Sequence, residues 1–144
     1  MTAQLISALI NSYSNGNTIF DSCEQRSENM LLFNWSGGDN LDEIGIFVTI
    51  KILDSGAVLA SIGCYDLPNF SGNRQAGIVA CNQLNNDELV TYCIDDEDDA
   101  SAQLTILFNS YNIASYFSPE QVLIAATMMA YSVDDAYPIL EDAM

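Results

Sequence analysis

Residues 44–65 read IGIFVTIKILDSGAVLASIGCY, and this stretch decides the fold. In Ile44–Leu53 the even positions Ile44, Ile46, Val48, Ile50 and Ile52 are all β-branched, while the odd ones are Gly, Phe, Thr, Lys and Leu. A period of two sets one side of a strand on a core and leaves the other side different in character. Ala57–Tyr65 repeats the pattern with Val58, Ala60, Ile62 and Cys64 on one face. Between them Asp54-Ser55-Gly56 is a hairpin turn, with a glycine able to take positive φ. An antiparallel sheet is therefore the organising element.

Before this hairpin, residues 2–15 carry Leu5, Ile6, Leu9, Ile10 and Tyr13 on one helical face. Asn15-Gly16-Asn17 ends that helix with residues that tolerate positive φ. Thr18–Glu24 reads as a short strand, Gln25–Asn29 as a polar turn and Met30–Trp35 as a second strand. After the hairpin, Pro68 and Gly72 break the sheet. Arg74–Asn85 then reads as a helix, and Leu89–Asp95 with Ala102–Asn109 as a second hairpin around the acidic run Asp95–Asp99. The last helix opens at Ser118-Pro119-Glu120-Gln121, a capping box with proline at its first position. Val122, Leu123, Ala126, Met129, Ala130, Val133 and Tyr137 form its core stripe. The predicted order is α-β-β-β-β-α-β-β-α, an α+β fold of one domain spanning 1–144.

Composition narrows the role. Apolar residues make up 49% of the 144, yet 20 acids face only 3 bases, for a net charge of −17. Residues 87–144 alone hold 12 acids and no base. Such a field repels phosphate backbones and anionic headgroups, so nucleic acid and membrane surfaces are excluded as direct partners. No signal peptide or membrane span is expected, and the default setting is cytoplasmic. Cysteines 23, 64, 81 and 93 form no C-x-x-C pair, there is no histidine, and a zinc site is not expected. Cys64 and Cys93 read as small buried hydrophobes in a reducing compartment.

The acidic run fails as a calcium loop: counted from Asp95, position six is Ala100 and position twelve is Ile106, where an EF-hand needs Gly and Glu. It reads as a solvated hairpin tip. No nucleotide, hydrolase or phosphate-binding motif is present, and the one lysine, Lys51, lies on a strand. Asp134-Asp135 and Glu141-Asp142 are the loosest candidates for acid-pair chemistry, and both pairs are expected on an exposed helix end. No catalytic residue, cofactor or metal is assigned, and the chain is read as a non-enzyme. The odd face of the central strands carries Phe47, Leu59, Tyr65 and, if the second hairpin keeps phase with them, Leu107, and Trp35 is a further candidate for the same group. These are the candidate partner-binding residues, unless a helix covers them.

The C-terminal half resembles the YbjN-like proteins, described as bacterial sensory transduction regulators. The similarity runs over about residues 75–140. It rests on Asn82 and Asn85 at the end of a helix, the acidic turn Asp95–Asp99, Ser118–Gln121, the pair Asp134-Asp135, and Tyr137-Pro138. The resemblance implies the α+β fold of type III secretion chaperones and a homodimer that holds a segment of another protein. It implies a structural part for Asn82 and Asn85, a helix-end cap and a turn into the strand. Three functions follow as expectations: a chaperone-like or regulatory protein-binding module, an acid-pair or cation-dependent hydrolase, and an acidic nucleic-acid mimic.

Overall fold

A computed structural model describes residues 1–86, 89–109 and 117–144. The elements run α1 (Thr2–Asn15), β1 (Ser22–Ser27), β2 (Met30–Trp35), β3 (Ile44–Ile52), β4 (Val58–Cys64), α2 (Arg74–Leu84), β5 (Thr91–Ile94), β6 (Ala100–Phe108) and α3 (Pro119–Ala143). The strands form one antiparallel sheet in the order β1-β2-β3-β4-β6-β5, so β6 lies between β4 and its own hairpin partner. The chain is α+β in the expected order of elements.

The central hairpin closes where the sequence sets it. Leu53 and Ala57 pair across Asp54-Ser55-Gly56, and Gly56 sits at φ 89°. Pairing in register brings Val48 beside Ile62 and Ile50 beside Ala60, and these side chains face the core with Leu31 and Phe33 of β2. All three helices lie on this face. α3 crosses β3, β4 and β6, α1 packs beside it, and α2 bridges β5 and α3. Burial of this continuous apolar layer is the dominant stabilising term. Among the described residues, no helix is long and apolar enough to cross a membrane.

Three local expectations change. The first strand is Ser22–Ser27, not Thr18–Glu24, and the turn is only Glu28-Asn29. Gln25 and Arg26 lie on an edge strand exposed on both sides, so polarity there imitates a turn. Phe20, by contrast, leaves the sheet and is buried against Phe33, with ring centroids 5.2 Å apart. Gly16 ends α1 in an extended conformation, φ −103°, not a left-handed one. α3 begins as predicted: Ser118 Oγ accepts the Gln121 N–H, and Pro119 occupies the first helical position.

α3 also runs through Pro138 to Ala143. A proline inside a helix has no N–H for the carbonyl four residues earlier. That carbonyl belongs to Asp134, and the Asn40 side-chain amide donates to it at 2.9 Å.

Candidate functional site

The side of the sheet opposite the helices is built by the odd positions of β3 and β4. Cross-strand register sets Leu32 beside Phe47 and Phe47 beside Gly63. A second row runs Thr49, Ser61, Thr105, and a third Lys51, Leu59, Leu107. Tyr65 lies back across Gly63, where a β-carbon would come within 2.7 Å of its Cζ, and its ring meets Phe47 at 5.8 Å. Leu32 similarly approaches Gly45. Two glycines thus let large side chains lie flat on the sheet.

Phe47, Leu59, Tyr65 and Leu107 therefore share one face, and none of the three helices covers it. Phe47 and Leu59 are half-buried; Tyr65 and Leu107 are 50% and 57% exposed. They form two apolar groups, one around Phe47 and Tyr65 and one around Leu59 and Leu107. The hydroxyl row separates them. Phe47, Thr49, Leu59, Ser61, Tyr65, Thr105 and Leu107 are uncharged, and the charges of their rows stand at the margins, Lys51 beside Leu59 and Glu24 beyond Leu32 on the edge strand. Trp35 does not join them. It points the other way, into the core, with its ring edge-on to Tyr131 at 5.1 Å.

The acid pair at 134–135 is divided by the fold. Asp134 is 4% exposed, not on a solvated face. Its Oδ1 accepts the backbone N–H groups of Asn40 and Leu41 at 2.9 and 3.0 Å, and its Oδ2 that of Asp39 at 2.9 Å. A carboxylate so engaged is an anchor for the 36–43 loop, which explains how it is buried without a cation. Asp135 is exposed, as are Glu141 and Asp142. Pro138 was the available signal for the anchor, because its missing N–H leaves the carbonyl of residue 134 open.

The acidic run is a turn between β5 and β6, and it is docked more firmly than a solvated tip. Asp95 Oδ1 accepts the N–H groups of Glu97 and Asp99, and Asp98 sits at φ 66°. Arg74 Nη1 reaches the Asp95 carbonyl and the Asp98 carboxylate, both at 2.7 Å. Asn69 Nδ2 donates to the Glu97 carbonyl and to Asp99. Among the described residues no cluster of His, Cys, Asp or Glu converges as a metal site.

Asn85 does turn the chain into β5. Its amide donates to the Tyr92 carbonyl at 2.8 Å and its Oδ1 accepts the Tyr92 N–H at 2.6 Å. Asn82 lies exposed on α2. All four cysteines are free. Burial pushes the Cys64 thiol up to about 12 and the Cys81 thiol to about 11, so neither is a nucleophile at neutral pH. Cys93 is exposed, not buried as its apolar neighbours suggest; its sulfur lies 3.2 Å from Ser101 Oγ. No family model matches the chain, and no curated protein matches it.

Proposed function

We propose that this chain is a non-catalytic protein-binding module, chaperone-like or regulatory, that takes an apolar segment of another protein on its open sheet face. One observation carries the reading. Phe47, Leu59, Tyr65 and Leu107 are gathered on one surface that no helix covers among the described residues, with charge only at its margins, at Lys51 and Glu24, on a chain whose net charge is −17. A surface that served only solubility would carry the acids that the rest of the chain has in excess. The row spacing also suits an extended segment, whose alternate side chains could lie over the two apolar groups with the hydroxyl row between.

The resemblance to YbjN-like proteins supports the same reading and adds a homodimer to it. Four free cysteines support a reducing, cytoplasmic setting. The acidic field would act at longer range, speeding encounter with a basic partner and weakening with salt. Affinity capture with wild-type protein and with Tyr65→Asp and Leu107→Asp variants tests the reading at low and high salt. Retention of a protein by wild type and its loss from both variants is expected. Equal retention by all three, or by none, would count against it.

A further inference from the structure

α3 carries a second surface, on the opposite layer. From Gln121 to Val133 the helix has thirteen residues and no charge. Its outward line is Glu120, Ile124, Met128, Tyr131 and Asp135, at spacings of four, four, three and four, and all five are exposed. Ile124, Met128 and Tyr131 are 60%, 42% and 49% exposed. They lie out of phase with the buried stripe of Val122, Ala126, Met129 and Val133, so the core does not explain them. A groove of about 360 Å³ runs beside them, walled on the far side by Thr18 and Ile19.

The geometry points to a partner helix that is apolar in the middle and basic at both ends, docked along this ridge. Ridges at four- and three-residue spacing fit the grooves of another helix, and three apolar knobs about 10 Å apart end to end match two of its turns. The ends are acidic: Glu120 and Asp135 stand about 22 Å apart along the axis. The loop held by Asp134 brings the exposed Asp39 and Asp42 to the Asp135 end. A second copy of this chain does not meet that pattern. Laid antiparallel about Met128 it would set Glu120 against Asp135, and laid parallel Glu120 against Glu120, so acid meets acid at the ends of the ridge in either arrangement. A cationic helix meets it at both ends. This surface is separate from the sheet face, so either site can fail without the other.

Trp35, the one tryptophan, reports on the ridge through its contact with Tyr131. The probe is a tryptophan-free peptide of roughly 20 residues, long enough to be helical. It carries Leu at i, i+4 and i+7 and Lys at both ends. Titration into the whole chain should give a saturable change in Trp35 emission, with affinity falling at least tenfold between low and physiological salt. Met128→Asp, or Ile124→Asp at the most exposed position, should abolish the change while circular dichroism stays unaltered. Tyr65→Asp should leave it intact. Reversing both ends (Glu120→Lys and Asp135→Lys, with Asp39→Asn and Asp42→Asn beside the latter) should switch preference to the same peptide with Glu ends. The proposal is overturned by no emission change, by equal binding of Lys-ended and Glu-ended peptides to wild type, or by loss of binding in Tyr65→Asp alone. Sedimentation showing a dimer that Met128→Asp dissolves would also overturn it, since the ridge would then belong to a second copy.

Discussion

Asn40 and Asp134, 94 residues apart, are bound to each other twice: the Asn40 N–H donates to the Asp134 carboxylate, and the Asn40 side-chain amide donates to the Asp134 carbonyl. The second bond fills the vacancy that Pro138 leaves in α3. One residue pair thus fixes the 36–43 loop to the last helix through both a side chain and a helix defect.

Asp134→Ala should leave the N–H groups of residues 39–41 without their acceptor and cost about 3 kcal/mol in urea unfolding. Asn40→Ala should cost about 1 kcal/mol. If Pro138 creates the opening that Asn40 fills, Pro138→Ala supplies an N–H to the same carbonyl. A double-mutant cycle should then show Asn40→Ala weakened by at least about 0.5 kcal/mol in the Pro138→Ala background. Strict additivity would refute the pairing.

Arg74 joins the start of α2 to the acidic turn through Asp98 and the Asp95 carbonyl, although a cation at a helix N-terminus opposes the helix dipole. Arg74→Ala should cost about 1 kcal/mol at low salt and less at high salt, because the pair is partly exposed. Unfolding curves at two ionic strengths read this directly.

Gly63→Ala should force the Tyr65 ring off the sheet, since the new β-carbon would overlap it. The expected cost is about 1 kcal/mol in wild type. With Tyr65→Ala already present, the same change should be neutral or stabilising, as Ala is easier to order in a strand than Gly. An equal cost in both backgrounds would mean that Tyr65 does not lie there.

The buried thiols set an alkaline limit. Cys64 rises from an ordinary 9.0 to about 12 in the folded chain, so the unfolded chain loses its proton first. The neutral thiol's contribution is fully present below pH 9 and is lost as pH climbs toward 12. Cys64→Ala should flatten the fall in stability over that window, measured by urea midpoints at successive pH values. At neutral pH the exposed Cys93 should alkylate first and Cys64 only on unfolding.

The central hairpin and the cap of α3 were legible because each depends on neighbours in sequence: alternation at 44–52, Gly56 in the turn, Ser118 before Pro119. Register between β3 and β4 then followed from the hairpin, which is why Phe47, Leu59 and Tyr65 share a face as their parity predicted; Leu107 joins them through the separate pairing of β6 with β4, which that hairpin does not set. What was not legible depends on distant contacts. Edge strand β1 is polar on both sides, Trp35 is turned inward beside Tyr131, and Asp134 is buried by a loop 94 residues away. The apolar ridge on α3 had a sequence signal, an uncharged run with Ile124, Met128 and Tyr131 out of phase with the core. It was hidden because an apolar helix is first read as core.

The most direct test of the open sheet face as the binding surface is site-specific photo-crosslinking in the native cell. A photoreactive residue is placed at position 107, on that face, and for comparison at Gln75, exposed on α2. Position 107 should give a discrete adduct with another protein, lost when Tyr65→Asp is added, while position 75 gives none. No adduct from position 107, or the same adduct from both positions, would contradict the account.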